Sequence, residues 1–228
     1  KIMKKYILLI AVVCCQKMYT QTDSSKFQLD EFEVTTYRVG QNSPVAHENI
    51  SKEELEANNH GVDLPILLDQ ATSIVTTSDA GAGVGYTGIR VRGTDATRVN
   101  ITINGIPFND AESHGVFWVN MPDLSSSTSD IQIQRGVGSS TTGASSFGAT
   151  VNLSTLGNAS SIEPFGEVSN SFGSFNTIKN TVRFGSGLMD GKWNFEGRLS
   201  NIQSDGFIDR AKSDLKSYYL SGSYLGEH

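Results

Sequence analysis

Several groups of residues carry atoms that could do chemistry. Asp110, Glu112 and His114 bring carboxylate oxygens and an imidazole nitrogen close together in sequence, the donor types of zinc and manganese sites. They stand in NDAESHGVFWVN (109–120), a stretch without the periodicity that would fix their geometry. No further His or Cys cluster completes a shell, so no metal site is predicted. Gly83, Gly85 and Gly88 spell the GxGxxG of dinucleotide sites. That fingerprint needs a helix opening on its glycines to hold a pyrophosphate, and here the alternating IRVRG follows. The Ser and Thr residues of 125–129 and 139–146 have no base beside them, and the four histidines are scattered. No GxSxG elbow, HExxH or P-loop occurs. The chain is predicted not to be an enzyme and to need no cofactor.

The elements that must position these residues are mostly strands. Ile89 and Val91 alternate with Arg90 and Arg92, and Val99, Ile101 and Ile103 with Asn100, Thr102 and Asn104. This is the period-2 pattern of half-buried strands. Asn104-Gly105 offers the two left-handed positions of a type I′ turn. Pro107 confines the returning strand to an edge. Ile131 and Ile133 alternate with Gln132 and Gln134, and Thr150–Leu153 supplies another strand. Ser51 and Glu54 form a capping box for a short helix that Gly61 can close. Asp63-Leu64-Pro65 opens a second helix. Residues 73–77 read as a β-branched strand and 78–88 as a loop. Met121–Leu124 can open a helical turn.

From Gly166 the texture changes. Val168 and Phe172, then Val182 and Phe184, then Trp193, Phe195 and Leu199, then Tyr218, Leu220 and Tyr224 alternate with polar or charged residues. Such strands fit barrel staves with lipid on one side, and equally a soluble β-sandwich. Asp190-Gly191 marks a tight turn, and 204–217 reads as a longer charged loop.

The 228 residues carry a net charge of −6, which argues against nucleic acid. Twenty-three glycines against five prolines suit turn-rich β structure. No run is long and apolar enough for a transmembrane helix. Residues 1–21 read as a signal peptide, with Lys4 and Lys5 before the apolar run Tyr6–Cys15. A lipoprotein reading would acylate Cys14 or Cys15, against the bulky Val12-Val13 that precedes them. Both cysteines of the chain lie here, so no disulfide framework or cysteine metal site is expected.

The blocks IRVRG, ITINGIPFND and IQIQRGVGSSTTGASSFGATVNLST, in this order and spacing, resemble the plug domain of TonB-dependent outer-membrane receptors. The resemblance implies an α+β fold. A small plug domain with a mixed β-sheet and short helices (46–157) is followed by antiparallel strands of an incomplete transmembrane β-barrel (158–228). It places an N-terminal extension with a TonB box at 22–45. There Glu31, Phe32, Glu33, Val34, Thr35 and Thr36 alternate as an added strand would, and they resemble the box that recruits TonB. Arg92 and Arg135 match plug arginines that pair with barrel glutamates. Tyr86, Asn109, Asp110, His114 and Trp118 stand in loops that the resemblance makes apical, where ligand would be met. Phe117-Trp118 can equally be packing.

The implied function is import of a scarce nutrient across the bacterial outer membrane, most fittingly a ferric siderophore or similar metal chelate. The implied partners are TonB, that small-molecule ligand and the membrane. The chain beyond Phe165 suffices for about four staves where plugged transporters have about 22, so an N-terminal part of a receptor is expected. The absence of an extra domain before the box favours a metal chelate over a glycan. The competing class is a soluble or surface plug-like binding or adhesion protein.

Overall fold

The computed structural model describes residues 38–40, 43–137, 146–155 and 163–226. Ser51 and Glu54 close the capping box: the Ser51 hydroxyl accepts from the Glu54 amide and the Glu54 carboxylate from the Ser51 amide. This starts α1 (Lys52–Asn58), which sends Leu55 into the core. The helix is capped by Asn59. Gly61, expected to close it, lies beyond the cap at φ 103°. There a side chain would stand 3.2 Å from Lys179 Cβ, so glycine serves a close approach between segments. Pro65 near the start of α2 (Leu64–Leu67) supplies a preset φ where the missing N–H costs nothing.

Eleven strands accompany the helices among the described residues. Strands β2 (Ile74–Ser78) and β3 (Thr87–Val91) pair as a small ribbon. A five-stranded sheet contains β1 (His47–Ile50), β4 (Val99–Ile103), β5 (Ile106–Pro107), β6 (Asp130–Arg135) and β7 (Ala149–Ser154). Its order is β1-β6-β7-β4-β5, with β4 and β7 parallel and the other pairs antiparallel. The sheet is mixed, as the resemblance implies. Asn104 (φ 53°) and Gly105 (φ 81°) make the β4–β5 turn, and β5 holds Pro107 at the edge.

The expectation of half-buried plug strands is corrected. In β4 the apolar Val99 and Ile101 are buried, and so are Asn100 and Thr102 on the opposite face; in β6 Gln132 and Gln134 are as buried as Ile131 and Ile133. The apolar face packs with Leu55, Leu64, Leu68, Ile89 and Trp118. The polar face survives burial because its side chains bond one another. Thr102 donates to Asn152 at 2.6 Å, and Gln132 bonds the Val39 backbone, Asn49 and Gln134.

The chain then forms a four-stranded antiparallel sheet of β8 (Phe165–Gly173), β9 (Thr177–Gly185), β10 (Trp193–Ser204) and β11 (Ser213–Tyr224), in the order β11-β10-β9-β8. Its two faces differ as the alternation predicts. Thr177, Lys179, Thr181, Arg183, Asn194, Glu196, Arg198 and Ser200 are buried on one face, while Val168, Phe172, Phe184, Leu199, Tyr218 and Leu220 are exposed on the other. The charged loop is shorter than expected. Ser204 pairs with Ser213, leaving only 205–212 between the strands. Asp214 and Lys216, which read as loop charges, are exposed positions near the start of β11.

Candidate functional site

The two sheets meet around Asp123. Pro122 restricts the chain entering this residue, and Asp123 adopts a left-handed conformation (φ 57°, ψ 29°) before the 3₁₀ turn Leu124–Ser127. Aspartate tolerates that region better than most residues. The turn carries the Asp123 carboxylate to the polar face of the four-stranded sheet. Lys179 Nζ reaches Oδ1 at 2.7 Å and Arg198 Nη1 reaches Oδ2 at 3.1 Å. The hydroxyls of Thr181 and Ser200 donate to Oδ2 at 2.8 and 2.5 Å, and that of Ser126 to Oδ1 at 2.6 Å. Arg198 also donates to Ser127, Ser200, Ser217 and the Pro122 carbonyl.

Asp123 and Lys179 are each only 2% exposed, so these charges are almost wholly withdrawn from water. Burial by itself would push the Asp123 carboxyl up. The charges of Lys179 and Arg198, with the hydrogen bonds of Lys179 and Ser126, outweigh it and hold the group at about 2. A second cluster lies beside the first. Buried Arg183 meets Glu56 of α1 and Glu167 of β8, both at 3.1 Å, and Glu196 of β10 at 3.7 Å, with its guanidinium over the Phe165 ring.

The glycine loop 78–88 makes the third contact. Gly81 (φ 69°) lies so close to Phe207 that a Cβ there would stand 2.9 Å from the Phe207 Cβ. The Phe207 amide donates to the Ala80 carbonyl at 2.9 Å, and Phe207 packs edge-on against Phe175. Beneath this loop Asp63 is buried, its amide bonded to the Gly83 carbonyl. Its Oδ2 accepts from Thr87 at 3.0 Å, while Oδ1 has no hydrogen-bond partner among the described residues. Burial raises this carboxyl to about 7 against the bonds from Thr87 and Gly85, and the charge of Asp123 adds to the rise.

The residues singled out in the sequence divide among several places. Arg135 pairs with Glu48 of β1 at 2.8 Å, a carboxylate of the same five-stranded sheet. Exposed Arg92, at φ 51°, lies with its guanidinium against Gly136, so the two Arg-Gly ends adjoin. Three of the five ligand candidates are occupied in holding the fold. Trp118 is a core residue, 5% exposed. Asn109 bridges its loop to β4: its Oδ1 accepts from Ile101 N, and its Nδ2 donates to the Val99 and His114 carbonyls. Large apolar surface places Trp118, and spare backbone groups along β4 place Asn109; neither is thereby presented to a ligand.

Asp110 closes its own loop. The Ser113 amide and hydroxyl and the Glu112 amide hold its carboxyl below its ordinary value. His114 is exposed at φ 56°, and Tyr86 is 64% exposed on the other loop. Among the described residues no group of three His, Cys, Asp or Glu could hold a metal ion. The segment Glu31–Thr36 and the leader 1–21 lie outside the described residues.

Sequence reasoning missed Asp123 and the Ser125–Ser129 run as a contact surface. Its one available signal was a serine run next to Pro-Asp, facing strands whose polar positions include Lys179, Arg183 and Arg198.

Comparison with known proteins places this geometry. Residues 40–150 match the profile of the TonB-dependent Receptor Plug Domain family. Among solved structures the chain is similar to the pyoverdine outer membrane receptor FpvA from Pseudomonas aeruginosa PAO1 bound to pyoverdine (TM-score 0.63, 16% identity, 80% of this chain and 25% of that chain). It is similar to the ferric yersiniabactin uptake receptor FyuA from Yersinia pestis (TM-score 0.54, 18% identity, 78% and 28%). It is also similar to the alcaligin outer membrane receptor FauA from Bordetella pertussis (TM-score 0.59, 17% identity, 78% and 29%). At these identities the likeness is one of fold, and the chain spans less than a third of each receptor. No curated protein matches the chain.

Proposed function

Since residues 40–150 are a TonB-dependent receptor plug domain, we propose that this chain is the lumen-closing and first wall-forming part of an outer-membrane importer. The cargo that fits best is a ferric siderophore or similar metal chelate, the class to which the name of the ferric yersiniabactin uptake receptor points. One observation carries the reading. The Asp123 turn of the plug sits on the polar face of a four-stranded sheet whose opposite face is apolar and exposed. A sheet polar inside and apolar outside is what a lipid-embedded wall requires.

The seam also suits a plug that must shift. Around Asp123 it is made of hydroxyls, amides and charges, and a hydrogen bond that water can replace contributes only about 1 kcal/mol net. Parting it with water costs less than exposing an apolar interface of the same extent. Arg198 and Lys179 hold Asp123 in the closed state; Tyr86 and His114, exposed on loops, are the remaining candidates to meet ligand. Glu31–Thr36 is proposed to add as a strand to TonB and so supply the energy.

The test uses the full-length receptor in iron-limited cells. Val34→Pro removes a backbone donor and disfavours strand addition. Uptake of a labelled ferric siderophore is expected to fall to background while surface binding of that siderophore persists. Unchanged uptake would overturn the TonB contact. A protein found outside the outer membrane would favour the binding or adhesion reading instead.

A further inference from the structure

Beneath the glycine loop 78–88 lies a carboxyl with half of its bonding unmet. Asp63 stands just before α2, where a carboxylate ordinarily caps a helix, but its side chain makes no such bond. It turns to the loop instead. Its Oδ2 accepts from the Thr87 hydroxyl at 3.0 Å and from the Gly85 amide, and its own amide donates to the Gly83 carbonyl at 2.8 Å. Oδ1 is shielded from water and bonds no described residue. The loop closes on apolar ground. Leu64, Leu68 and Val84 are buried, and a Cβ at Gly83 would stand 3.1 Å from Val62 and 3.4 Å from Ile66.

Charge offers Asp63 no relief in this position. It forms no ion pair with any described residue. Asp123 bears on it with the same sign, and Lys179 and Arg198 are engaged by Asp123. The other ionisable groups on the elements packed against it are exposed, where solvent screens them: His60 and Asp69 on either side of α2, Asp79 and Tyr86 on the loop, and Arg90 of β3. An ionised carboxylate here must reach water, and a neutral one need not.

The loop is built to give way. Gly81, Gly83 and Gly85 sit at φ 69°, 73° and 96°, a region that glycine enters and leaves without steric cost. Its hold on the four-stranded sheet is slight. The Phe207 amide donates to the Ala80 carbonyl, Gly81 lies under the Phe207 side chain, and a Cβ at Gly85 would stand 3.2 Å from the Ser213 hydroxyl. Tyr86, exposed and bonded through its carbonyl to the Asp79 amide, travels with the loop.

We propose that the loop 78–88 is a proton-controlled strap: with Asp63 neutral it stays clasped to residues 205–213, and with Asp63 ionised it lifts, admits water to the carboxylate and frees Tyr86. The proposal rests on the importer reading only in taking Tyr86 as a ligand contact. Under the closed strap Asp63 is raised to about 7, against an ordinary 3.8 where it is hydrated. Closure is therefore favoured fully below 3.8, weakens about tenfold for each pH unit above that, and weakens no further once pH has passed 7. In acid medium the strap is held down. Near neutrality, where ferric iron is far less soluble, it is released.

The test places spin labels at Asp79→Cys and Asp209→Cys in the full-length receptor and reads their separation by pulsed dipolar spectroscopy from pH 4.5 to pH 8. Both positions are exposed, and heat-modifiable gel mobility reports that each variant is folded. A short separation is expected in acid, with the ratio of long to short rising about a hundredfold between pH 5 and pH 7 and then levelling. Asp63→Asn cannot ionise and is expected to keep the short separation throughout. Thr87→Val removes a bond that lowers the carboxyl, so its curve is expected to level at higher pH. A separation that does not respond to pH in the wild type overturns the proposal, and so does a response that Asp63→Asn retains. Failure of the importer reading looks different: the receptor would be absent from the outer membrane and bind no ferric siderophore, while the separation still followed pH.

Discussion

At the scale of single residues, Asp123 sets the terms. It is a carboxylate that Lys179 and Arg198 share, and both cations sit on strands far from it in sequence. Asp123→Ala leaves two buried cations without their counter-charge, and breaking such a pair costs about 3–5 kcal/mol. The full-length variant is expected to unfold at lower urea concentration and to expose the plug to protease. An unchanged midpoint would mean that water already screens the pair. The sequence showed Pro-Asp beside serines and read it as a turn, which it is. What makes the turn a contact is a set of partners contributed by β9 and β10, and no local pattern encodes that. Trp118 illustrates the reverse: its ring suggested a ligand platform, and the core claimed it because its apolar area outweighs what a loop position offers.

At the scale of elements, the alternation of apolar and polar residues was legible throughout β8–β11, as were the Asn104-Gly105 turn and the capping box of α1. Two-sided burial of β4 and β6 was not. A polar residue on a buried face reads like one facing water until its partner strand is known, as Asn152 is for Thr102. The four-stranded sheet also sets aromatic rings over cross-strand glycines. Phe184 covers Gly197, its register partner, where a Cβ would stand 2.3 Å from the ring, and Phe195 covers Gly222. A side chain at Gly197 must displace Phe184 and overpack the exposed face. Gly197→Val is expected to cost about 1–3 kcal/mol, read as a lower temperature for loss of the compact, heat-modifiable gel form. A variant that migrates and melts like the wild type would show that the ring swings aside freely.

At the scale of the whole molecule, two buried carboxyls pull stability in opposite directions with pH. Asp123, held at about 2 from an ordinary 3.8, favours the folded chain above 3.8, and that favour fades as pH falls toward 2. Asp63, raised to about 7, keeps its proton in the folded chain. Its contribution is complete below 3.8 and is lost as pH rises through 7. Asp63→Asn is therefore expected to flatten the alkaline side of the stability profile, with mutant and wild type converging near pH 4 and the mutant the more stable at pH 8. Urea midpoints across this range measure it; parallel curves would show that Asp63 is hydrated.

The position of β1 has a mechanical consequence. It is a four-residue strand on the outer edge of the plug sheet, and it is entered through Arg38, which pairs with Asp130, and Val39, which bonds Gln132. Tension applied ahead of Arg38 loads these anchors first and then the pairs of β1, beginning at His47 opposite Gln134. Strands β6, β7 and β4, with the apolar core behind them, bear load only after β1 has peeled away. The plug is thus built to yield in stages from one edge. A pulling experiment on that end should show a small early release of length ahead of the main rupture.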